Sequence, residues 1–319
     1  MMRAALVHQC GEPPIAGERA MPQPGEGELA VRVVAASITP LDLLCASGTS
    51  YFGKPATPYV PGVQGVGELA DGRVVWFATK AGMQPGDGSM AEYAVVRPGD
   101  IVRLPDGVDH LLVAALGLSA VAALMALTWR GGLLHGEQVL VLGGGGVVGQ
   151  AAIQLALLGG ARRVIAACRS EGARERALRV GAAAVVHTEG LDVADLAATM
   201  KAAADGPVDL VVDPLFGVPA VAALRTLRPG GRLVHLGSAA GETASFDSAT
   251  LRGGALSVLG YTNNDLTVER RADAIATIAE HVRAGRLALD HEVAPLDDVA
   301  NAWSRQSTRK ADRRIVLVP

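Results

Sequence analysis

The chain has 319 residues, of which 50% are hydrophobic and 19% charged, and its formal net charge is −3 at pH 7. This composition is typical of a globular protein and excludes a disordered chain, and the lack of a basic surplus argues against nucleic acid as a partner. Aromatic residues make up only 3%, so the core must be built from Ala, Val and Leu, and stacking platforms for single-stranded nucleic acid are not expected.

The first part of the chain is predicted to be rich in β-strands. Short apolar or alternating runs occur at residues 29–36, 73–77 and 90–96, and turns rich in Pro and Gly separate them. Short strands with dense turn signals favour a small barrel or sandwich.

An almost wholly apolar run follows at residues 111–129. A run of this length would suffice to span a membrane. Much of it is Ala, which is only weakly driven into lipid, and it stands directly before the first strand of the next region. We therefore predict a buried helix and expect no membrane partner.

From residue 139 onwards, strands and helices alternate. The predicted strands are residues 139–142, 164–167, 184–187, 210–213, 232–236 and 256–260, and the predicted helices are residues 147–158, 171–180, 192–204 and 220–227. Alternation of this kind indicates a doubly wound parallel sheet. A last helix over residues 268–284 leads to a strand at residues 314–318, which has no βαβ partner and is expected to return to the N-terminal domain.

A glycine-rich turn joins the first of these strands to the first of these helices. Its G-x-G-x-x-G pattern places Gly144, Gly146 and Gly149 around Val147 and Val148, which open the helix. In this context the first glycine allows a tight turn, the second lets the backbone approach a pyrophosphate, and the third lets helix and strand pack closely. The helix N-terminus offers free N–H groups and a partial positive charge to the phosphates. The turn therefore predicts dinucleotide binding.

The end of the next strand indicates which dinucleotide binds. An NAD site usually carries Asp or Glu there, against the ribose 2′-hydroxyl. This chain instead has Cys168, Arg169 and Ser170, with Arg174 about one helical turn further on. Arginine and serine can bind a 2′-phosphate, so we predict NADPH rather than NADH as the cofactor. The alternative interpretation is that these arginines are solvated surface residues.

With these motifs, the chain resembles the medium-chain dehydrogenase/reductase superfamily, above all its zinc-independent quinone oxidoreductase and enoyl reductase branch. The segments that carry the resemblance are residues 36–42, 61–67, 88–95, 143–149, 227–234 and 313–317. The resemblance implies an α/β fold in which a Rossmann doubly wound parallel sheet, residues 118–264, is inserted into a GroES-like β-rich substrate domain, residues 1–117 and 265–319. It also implies an active site in the cleft of that fold and a homodimer paired through the apolar edge strand at residues 256–260.

Catalytic zinc is not expected. Zinc-dependent relatives hold the metal with an early Cys and a Gly-His-Glu segment, whereas the corresponding stretches here contain Thr39, Val63 and Gln64. These side chains do not form the three-ligand site that catalytic zinc needs. The three cysteines match neither a disulfide framework nor a zinc knuckle, and the N-terminal segment lacks the apolar stretch of a secretory signal. A reducing cytoplasm is therefore the expected compartment.

The resemblance also suggests residues for the chemistry. Tyr51 corresponds, one residue later than the usual spacing, to a tyrosine that can donate a proton in enoyl reductases; the alternative is that Tyr51 lines the pocket without proton transfer. Thr39 stands where those relatives carry Asn. Thr39 and Asp42 either order the nicotinamide side or cap a helix that begins at Pro40.

Further cofactor-binding residues are expected at the carboxyl ends of strands, where ligands bind in this fold. They are Gly237, Ser238, Tyr261, Thr262 and Asn263. Ser119 interrupts the apolar run and matches a hydroxyl residue that faces the cofactor in relatives; the alternative is a hydroxyl bonded back to its own helix. Asp213 also ends a strand, but Pro214 and Phe216 depart from the Val-Gly-Gly that is usual in the family.

Without zinc, no evident group polarises an alcohol for oxidation, whereas reduction needs only hydride, orientation and stabilisation of negative charge. We therefore expect an NADPH-dependent reductase whose small electron-poor substrate is a quinone or an α,β-unsaturated carbonyl compound. The alternatives are a biosynthetic reductase acting on a polyketide-like or imine intermediate, and a non-catalytic NADPH-binding protein.

Overall fold

The computed structural model describes residues 1–308 and 310–319. The chain forms two compact units, which we name the split unit, Met1–Gly117 with Thr267–Pro319, and the central unit, Leu118–Leu266. The limits of the central unit fall at residues 117/118 and 266/267, whereas the sequence predicts them at 117/118 and 264/265.

The main elements follow in chain order. Before the apolar run they are β1 (Met2–Leu6), β2 (Ile15–Arg19), β3 (Leu29–Ser37), α1 (Pro40–Ser47), β4 (Gln64–Leu69), β5 (Val74–Ala78), β6 (Tyr93–Val96) and β7 (Ile101–Arg103). The apolar run forms α2 (His110–Met125) and a π-helical turn (Ala126–Arg130). The alternating region contains β8 (Gln138–Leu142), α3 (Val147–Leu158), β9 (Arg163–Cys168), α4 (Glu171–Arg179), β10 (Ala184–His187), α5 (Val193–Ala203), β11 (Val208–Asp213), α6 (Gly217–Leu224), β12 (Leu227–His235), α7 (Ser248–Gly253) and β13 (Ser257–Gly260). The last elements are α8 (Val268–Arg283), β14 (His291–Pro295), α9 (Val299–Ser307) and β15 (Arg314–Val318).

Strands from both ends of the chain build the main sheet of the split unit. Its order is β14-β15-β3-β4-β5-β7, and β6 also pairs with β3. The strand β15 lies antiparallel to β3, with Val316 opposite Ser37, so the end of the chain returns to its N-terminal part as predicted. Alternation sets the faces of β3: Val31 and Val33 enter the core, while Arg32 is exposed and pairs with Glu68.

The strands of the central unit form one parallel sheet in the order β10-β9-β8-β11-β12-β13. From β8 the chain runs outwards to β10 and then returns to β11, on the other side of β8. The strand order therefore reverses between β8 and β11, and this switch point is where ligands bind in such sheets. Leu196 from α5 and Leu224 from α6 belong to one buried apolar cluster with Leu140 of the sheet. The predicted doubly wound fold is confirmed.

The apolar run is not one continuous helix, contrary to prediction. The backbone breaks at Gly117, whose φ of 34° and ψ of −131° are not helical. A Cβ on Gly117 would lie 2.0 Å from the Oε1 atom of Gln64, so the buried amide of Gln64 occupies the space that a side chain would need. By length and composition His110–Arg130 could cross a membrane, but 78% of its most apolar window is buried inside the protein, as in a core helix.

Three predicted element starts differ from the structure by three residues or more. β12 begins at Leu227 rather than at residue 232, because Leu227 pairs with Val208 and the residues before Arg232 bulge out of the ladder. β6 begins at Tyr93 rather than at residue 90, since the preceding residues pair with β1 instead. α6 begins at Gly217 rather than near residue 220, because the carboxylate of Asp213 bonds to the backbone directly before it.

Candidate functional site

The glycine-rich turn connects β8 to α3 at the switch point of the central sheet. Gly143, with a φ of 64°, makes the tight turn, and its carbonyl accepts a hydrogen bond of 3.0 Å from the N–H of Gly146. Helix α3 then begins at Val147 with Gly146 as its N-cap, and no side chain caps it. The N–H groups of the first helical turn have no acceptor within the helix, so they remain available to an anion.

The third glycine of the motif is required by close packing. A Cβ on Gly149 would lie 2.3 Å from the carbonyl oxygen of Gly143 and 2.6 Å from the Cα of Gly144. Real Cβ contacts are not that short, so any side chain at this position would push α3 away from the turn. The turn and the helix start are therefore built together, and their shape suits a pyrophosphate.

A basic side chain missed by the sequence analysis stabilises the turn. Arg176 in α4 donates a hydrogen bond of 3.1 Å from Nε to the carbonyl oxygen of Gly145. Beneath the turn lies Cys168; burial raises the pKa of its thiol, although N–H groups of Gly145 and Gly144 act against this shift. A buried thiol with a raised pKa is a packing residue rather than a nucleophile.

The residues predicted to select NADPH follow β9. Arg169 and Ser170 are both exposed, and the Ser170 hydroxyl accepts the Ala173 N–H at 3.3 Å, which makes Ser170 the N-cap of α4. Arg174 stands one turn further, and its buried Nε has no hydrogen-bond partner among the described residues. Residues 168–170, at the end of β9, contain no carboxylate, and the helix that follows them carries a guanidinium whose Nε donor is unused.

Residues that follow β13 are hydrogen-bonded to one another and to the start of the central unit. Tyr261 donates its hydroxyl to Asn263 Oδ1 at 2.6 Å, and Asn263 Nδ2 donates to the Leu118 carbonyl at 3.0 Å. Ser119 follows Leu118 directly and is buried. The structure thus brings Tyr261 and Asn263 next to Ser119, and burial raises the pKa of Tyr261 above its ordinary range.

Three other predicted residues lie nearby in the chain. The Thr262 hydroxyl accepts the Asn264 N–H at 3.3 Å and so starts a short helical turn. After β12, Gly237 approaches the carbonyl oxygen of Pro214, while Ser238 donates to Glu242 Oε1 at 2.6 Å. These contacts order the loops at the carboxyl edge of the sheet.

An acid and an imidazole at the same edge were not paired by the sequence analysis. Asp213 ends β11 and is completely buried, and its neighbour in register on β12 is His235. The Asp213 Oδ2 atom lies 3.3 Å from the His235 Nδ1 atom. From the sequence Asp213 is recognisable only as a strand end, because pairing across two parallel strands depends on their register, which the sequence does not display.

In the split unit, Thr39 and Asp42 cap α1 reciprocally. The Thr39 hydroxyl donates to Asp42 Oδ2 at 2.6 Å, the Thr39 N–H donates to the same oxygen at 2.8 Å, and the Asp42 N–H donates back to the Thr39 hydroxyl at 3.3 Å. Both residues take part in the capping box. Of the two interpretations offered for Thr39 and Asp42, the geometry supports capping for both.

The same carboxylate meets a buried arginine. Asp42 Oδ1 accepts the Val63 N–H at 2.9 Å, and the Arg314 Nη1 atom donates to the Ile38 carbonyl at 2.5 Å. Burial lowers the pKa of Arg314 to about 10 against the opposing charge of Asp42, and burial also raises the pKa of Asp42. Arg314 therefore remains cationic at neutral pH and balances the charge at the start of α1.

Tyr51 follows α1 in a loop of the split unit. Its side chain is among the most exposed large apolar groups, with 77% of its surface accessible, and its ring centroid lies 4.2 Å from that of Phe52. An exposed phenol can meet a substrate, which is compatible with both interpretations of Tyr51.

The stretches that would carry zinc ligands are occupied by other interactions. Gln64 Nε2 donates to Ser37 Oγ at 2.9 Å, and Trp76 Nε1 donates to Gln64 Oε1 at 3.3 Å. Val63 is buried and offers no ligand atom from its side chain. Throughout residues 1–308 and 310–319, no group of three or more His, Cys, Asp and Glu side chains is placed to hold a metal. This donor set does not fit zinc.

Comparison with known proteins gives four matches. Residues 147–280 match the family model described as zinc-binding dehydrogenase, a range that contains none of Thr39, Val63 and Gln64. The chain is 31% identical over 253 residues to the quinone oxidoreductase of Lama guanicoe, covering 75% of this chain and 73% of that protein. It is 29% identical over 326 residues to quinone oxidoreductase-like protein 2 of Mus musculus, covering 99% and 91%. A mycobacterial protein solved as a complex with NADPH superposes with a TM-score of 0.85 at 24% identity, covering 100% of both chains.

Proposed function

Because the chain belongs to the zinc-independent quinone oxidoreductase branch of the medium-chain dehydrogenase/reductase family, we propose that it is an NADPH-dependent reductase of quinones or α,β-unsaturated carbonyl compounds. The observation that carries this proposal is the unpartnered Nε donor of Arg174 in α4, the helix that follows β9, together with the uncapped glycine turn before α3. An exposed Ser170 and Arg169 stand beside it where an NAD site would carry a carboxylate.

The residues present fit a dinucleotide phosphate. In this proposal the N–H groups of Val147, Val148 and Gly149 hold the pyrophosphate, since the first turn of α3 leaves them without acceptors. Arg174 and Arg169 pair with the 2′-phosphate, and the Ser170 hydroxyl, which accepts from Ala173, still has a proton to donate. When bound, the nicotinamide supplies the hydride.

The remaining residues of the central unit orient the cofactor in this proposal. Tyr261 and Asn263 are fixed to one another and to the Leu118 carbonyl, so a ligand at this edge meets side chains that are already ordered. Preorganised polar groups reduce the cost of orienting two reactants. Ser119 directly follows Leu118, whose carbonyl accepts from Asn263, and we assign it to the cofactor side.

The residues at the zinc-ligand positions support the choice of acceptor class. The amide of Gln64 is hydrogen-bonded to Ser37 and Trp76, and the side chain of Val63 has no ligand atom, so these positions offer no zinc site that could polarise an alcohol. An electron-poor carbon or a quinone accepts hydride without such help, and one proton completes the reduction. We assign the proton donor to Tyr51, whose ring is accessible, and the ordering of α1 to Thr39.

We also propose that the protein acts as a homodimer. β13 is the outer strand of the central sheet, and Val258 on it is 38% exposed. A short apolar edge with unpaired backbone groups favours pairing with a second copy. Two central sheets joined at β13 would form one continuous sheet.

Consumption of reduced cofactor tests the proposed reaction. Purified protein is supplied with NADPH or NADH and with a panel of benzoquinones, naphthoquinones, enones and enoyl thioesters, and the loss of nicotinamide absorbance is followed. The proposal expects turnover with at least one quinone or enone and a clear preference for NADPH. Tight NADPH binding without turnover of any acceptor would instead favour a non-catalytic binding protein.

A further inference from the structure

The turn after β11 forms part of the ligand-binding edge of the central sheet. β11 is the neighbour of β8 across the switch point, so the segment Asp213 to Gly217 emerges beside the glycine turn. The two loops touch: a Cβ on Gly143 would lie 3.2 Å from Leu215 Cδ2 and 3.5 Å from Pro214 Cγ. Any shift of this turn therefore alters the space next to the phosphate-binding backbone.

The turn has an unusual backbone that its own carboxylate stabilises. Phe216 has a φ of 59°, in the left-handed region that residues with a side chain rarely adopt. Asp213 Oδ1 accepts hydrogen bonds from the N–H groups of Leu215 at 2.9 Å and Phe216 at 2.8 Å. One oxygen of Asp213 thus fixes the conformation in which Phe216 precedes α6.

The second oxygen of Asp213 depends on His235. Asp213 is completely buried, and its Oδ2 atom makes no hydrogen bond of good geometry among the described residues. The His235 Nδ1 atom, equally without a hydrogen bond, lies 3.3 Å away. A buried carboxylate without a partner is costly, and the imidazole is the group within reach that can donate to it.

His235 also touches the strained residue itself. Its ring centroid lies 4.2 Å from that of Phe216, with the two planes at 34°. The imidazole therefore contacts both ends of the turn, the carboxylate of Asp213 and the ring of Phe216. About a third of the His235 side chain is exposed, so the residue lies at the edge of the site rather than in the core.

We propose that His235 is a positioning residue for the cofactor, which holds the turn of residues 213–217 against the glycine turn through Asp213 and Phe216. This inference rests on the proposed NADPH site. His235 does not touch the reacting atoms in this role. Its loss should weaken cofactor binding and leave the rate at saturating cofactor nearly unchanged, since only the shape of the binding edge changes.

The test compares His235→Phe with His235→Asn. Phenylalanine keeps a ring against Phe216 and removes the donor to Asp213, whereas asparagine keeps a donor near the position of Nδ1. We expect His235→Phe to raise the Kd and KM for NADPH about tenfold, with kcat changed less than about twofold. His235→Asn should recover most of the affinity. NADPH binding is measured by fluorescence titration and turnover by steady-state kinetics.

Two further variants separate positioning from general damage. His291 lies on β14 of the split unit, outside the sheet that carries the glycine turn, so His291→Phe is the control and should leave the NADPH Kd unchanged. In the double variant Asp213→Asn/His235→Phe, the effects should not add, because His235 acts through Asp213.

The outcomes distinguish this inference from the function on which it rests. Wild-type protein that fails to bind NADPH would overturn the proposed function together with the inference. Wild-type protein that binds NADPH, with a His235→Phe variant of unchanged Kd, would overturn the inference alone. Equal loss of affinity in the phenylalanine and asparagine variants would also overturn it, since the donor would then be irrelevant.

Discussion

Arg232 and Glu137 form a buried ion pair with two contacts: Arg232 Nη1 lies 2.6 Å from Glu137 Oε1, and Nη2 lies 2.5 Å from Oε2. The same guanidinium donates from Nε to the Gly131 carbonyl at 2.5 Å, and Glu137 Oε2 also accepts the Leu134 N–H at 2.9 Å. The pair therefore connects β12 to the loop that precedes β8. Its position at the amino ends of the strands, opposite the ligand-binding edge, makes it a stability element of the central unit.

The first prediction concerns the pH dependence that this pair confers. Burial raises the pKa of Glu137, but hydrogen bonds from Arg232 and the Leu134 N–H outweigh it, so the pKa lies below its ordinary value of 4.5. A carboxyl whose pKa is lower in the folded protein stabilises the fold above pH 4.5, and this contribution is lost as the pH falls through the folded-state pKa. Glu137→Gln should lower the free energy of unfolding by about 3 kcal/mol at pH 7 and by clearly less at pH 4.

Urea denaturation at the two pH values checks this prediction. Glu68→Gln is the matched control, because Glu68 pairs with Arg32 on an exposed face of the split unit. Its removal should cost less than about 1 kcal/mol. If Glu137→Gln lowers the free energy of unfolding equally at both pH values, the ionised carboxylate of Glu137 is not the source of the stabilisation.

The glycine turn gives the second prediction. Gly149→Ala places a Cβ 2.3 Å from the Gly143 carbonyl oxygen, so α3 must shift away from the turn and NADPH affinity should fall by at least about tenfold. Gly253 in α7 is the control: it is exposed, and a Cβ there meets nothing within 4 Å. Gly253→Ala should leave the NADPH Kd unchanged and raise stability by about 0.5 kcal/mol. Isothermal titration with NADPH, alongside thermal unfolding of each variant, distinguishes the two substitutions.

The third prediction concerns the choice between NADPH and NADH. Arg174→Ala removes the unused guanidinium donor and should raise the KM for NADPH at least about tenfold, while the KM for NADH changes less than about twofold. Arg179→Ala is the control. It also removes one positive charge from α4, but at the last residue of the helix, and it should change neither KM value. A parallel rise in both KM values for Arg174→Ala would show that Arg174 supports the helix rather than the 2′-phosphate.

Local patterns in the sequence were sufficient for the nucleotide-binding half of the fold. α3 begins at Val147 and ends at Leu158 as predicted, because the glycine spacing, the apolar strand before it and the helical period after it all lie within twenty residues. The strand at the end of the chain, Arg314–Val318, was also placed correctly. In both cases the residues that predict the element are the residues that form it or lie directly beside it.

Features that depend on distant partners were not predictable. The break at Gly117 exists because the amide of Gln64, far away in sequence, fills the space beside it. The strand Gln64–Leu69 contains two glycines packed against neighbouring strands, so it lacks the apolar alternation that reveals a strand. Likewise, the contact of Asp213 with His235 follows from the register of β11 and β12, and neither residue alone signals it.

The fourth prediction tests the proposed dimer. Val258→Lys places a charge on the exposed face of the β13 edge and should convert a dimer into a monomer, because lysine on an edge strand disfavours strand pairing. Val293→Lys is the matched control. Val293 is 46% exposed and lies on β14, the outer strand of the main sheet of the split unit. Light scattering at micromolar concentration should give twice the chain mass for the wild type and for Val293→Lys. A monomeric wild type would refute the assembly.

The fifth prediction concerns the proton that completes the reduction. The Thr39 hydroxyl is committed to Asp42, and Tyr261 donates to Asn263, so among the residues named for the chemistry Tyr51 has the accessible side chain. If Tyr51 donates the proton, Tyr51→Phe should lower kcat about a hundredfold with little change in the NADPH Kd, since the ring and its contact with Phe52 are retained. The loss should be largest for enones, where a carbon must be protonated, and smaller for quinones, whose oxygens take protons readily from water. Tyr93→Phe, in β6, removes a phenol from the same unit and should leave kcat unchanged. Unchanged turnover of both acceptor classes by Tyr51→Phe would show that Tyr51 only lines the pocket and that the proton comes from solvent.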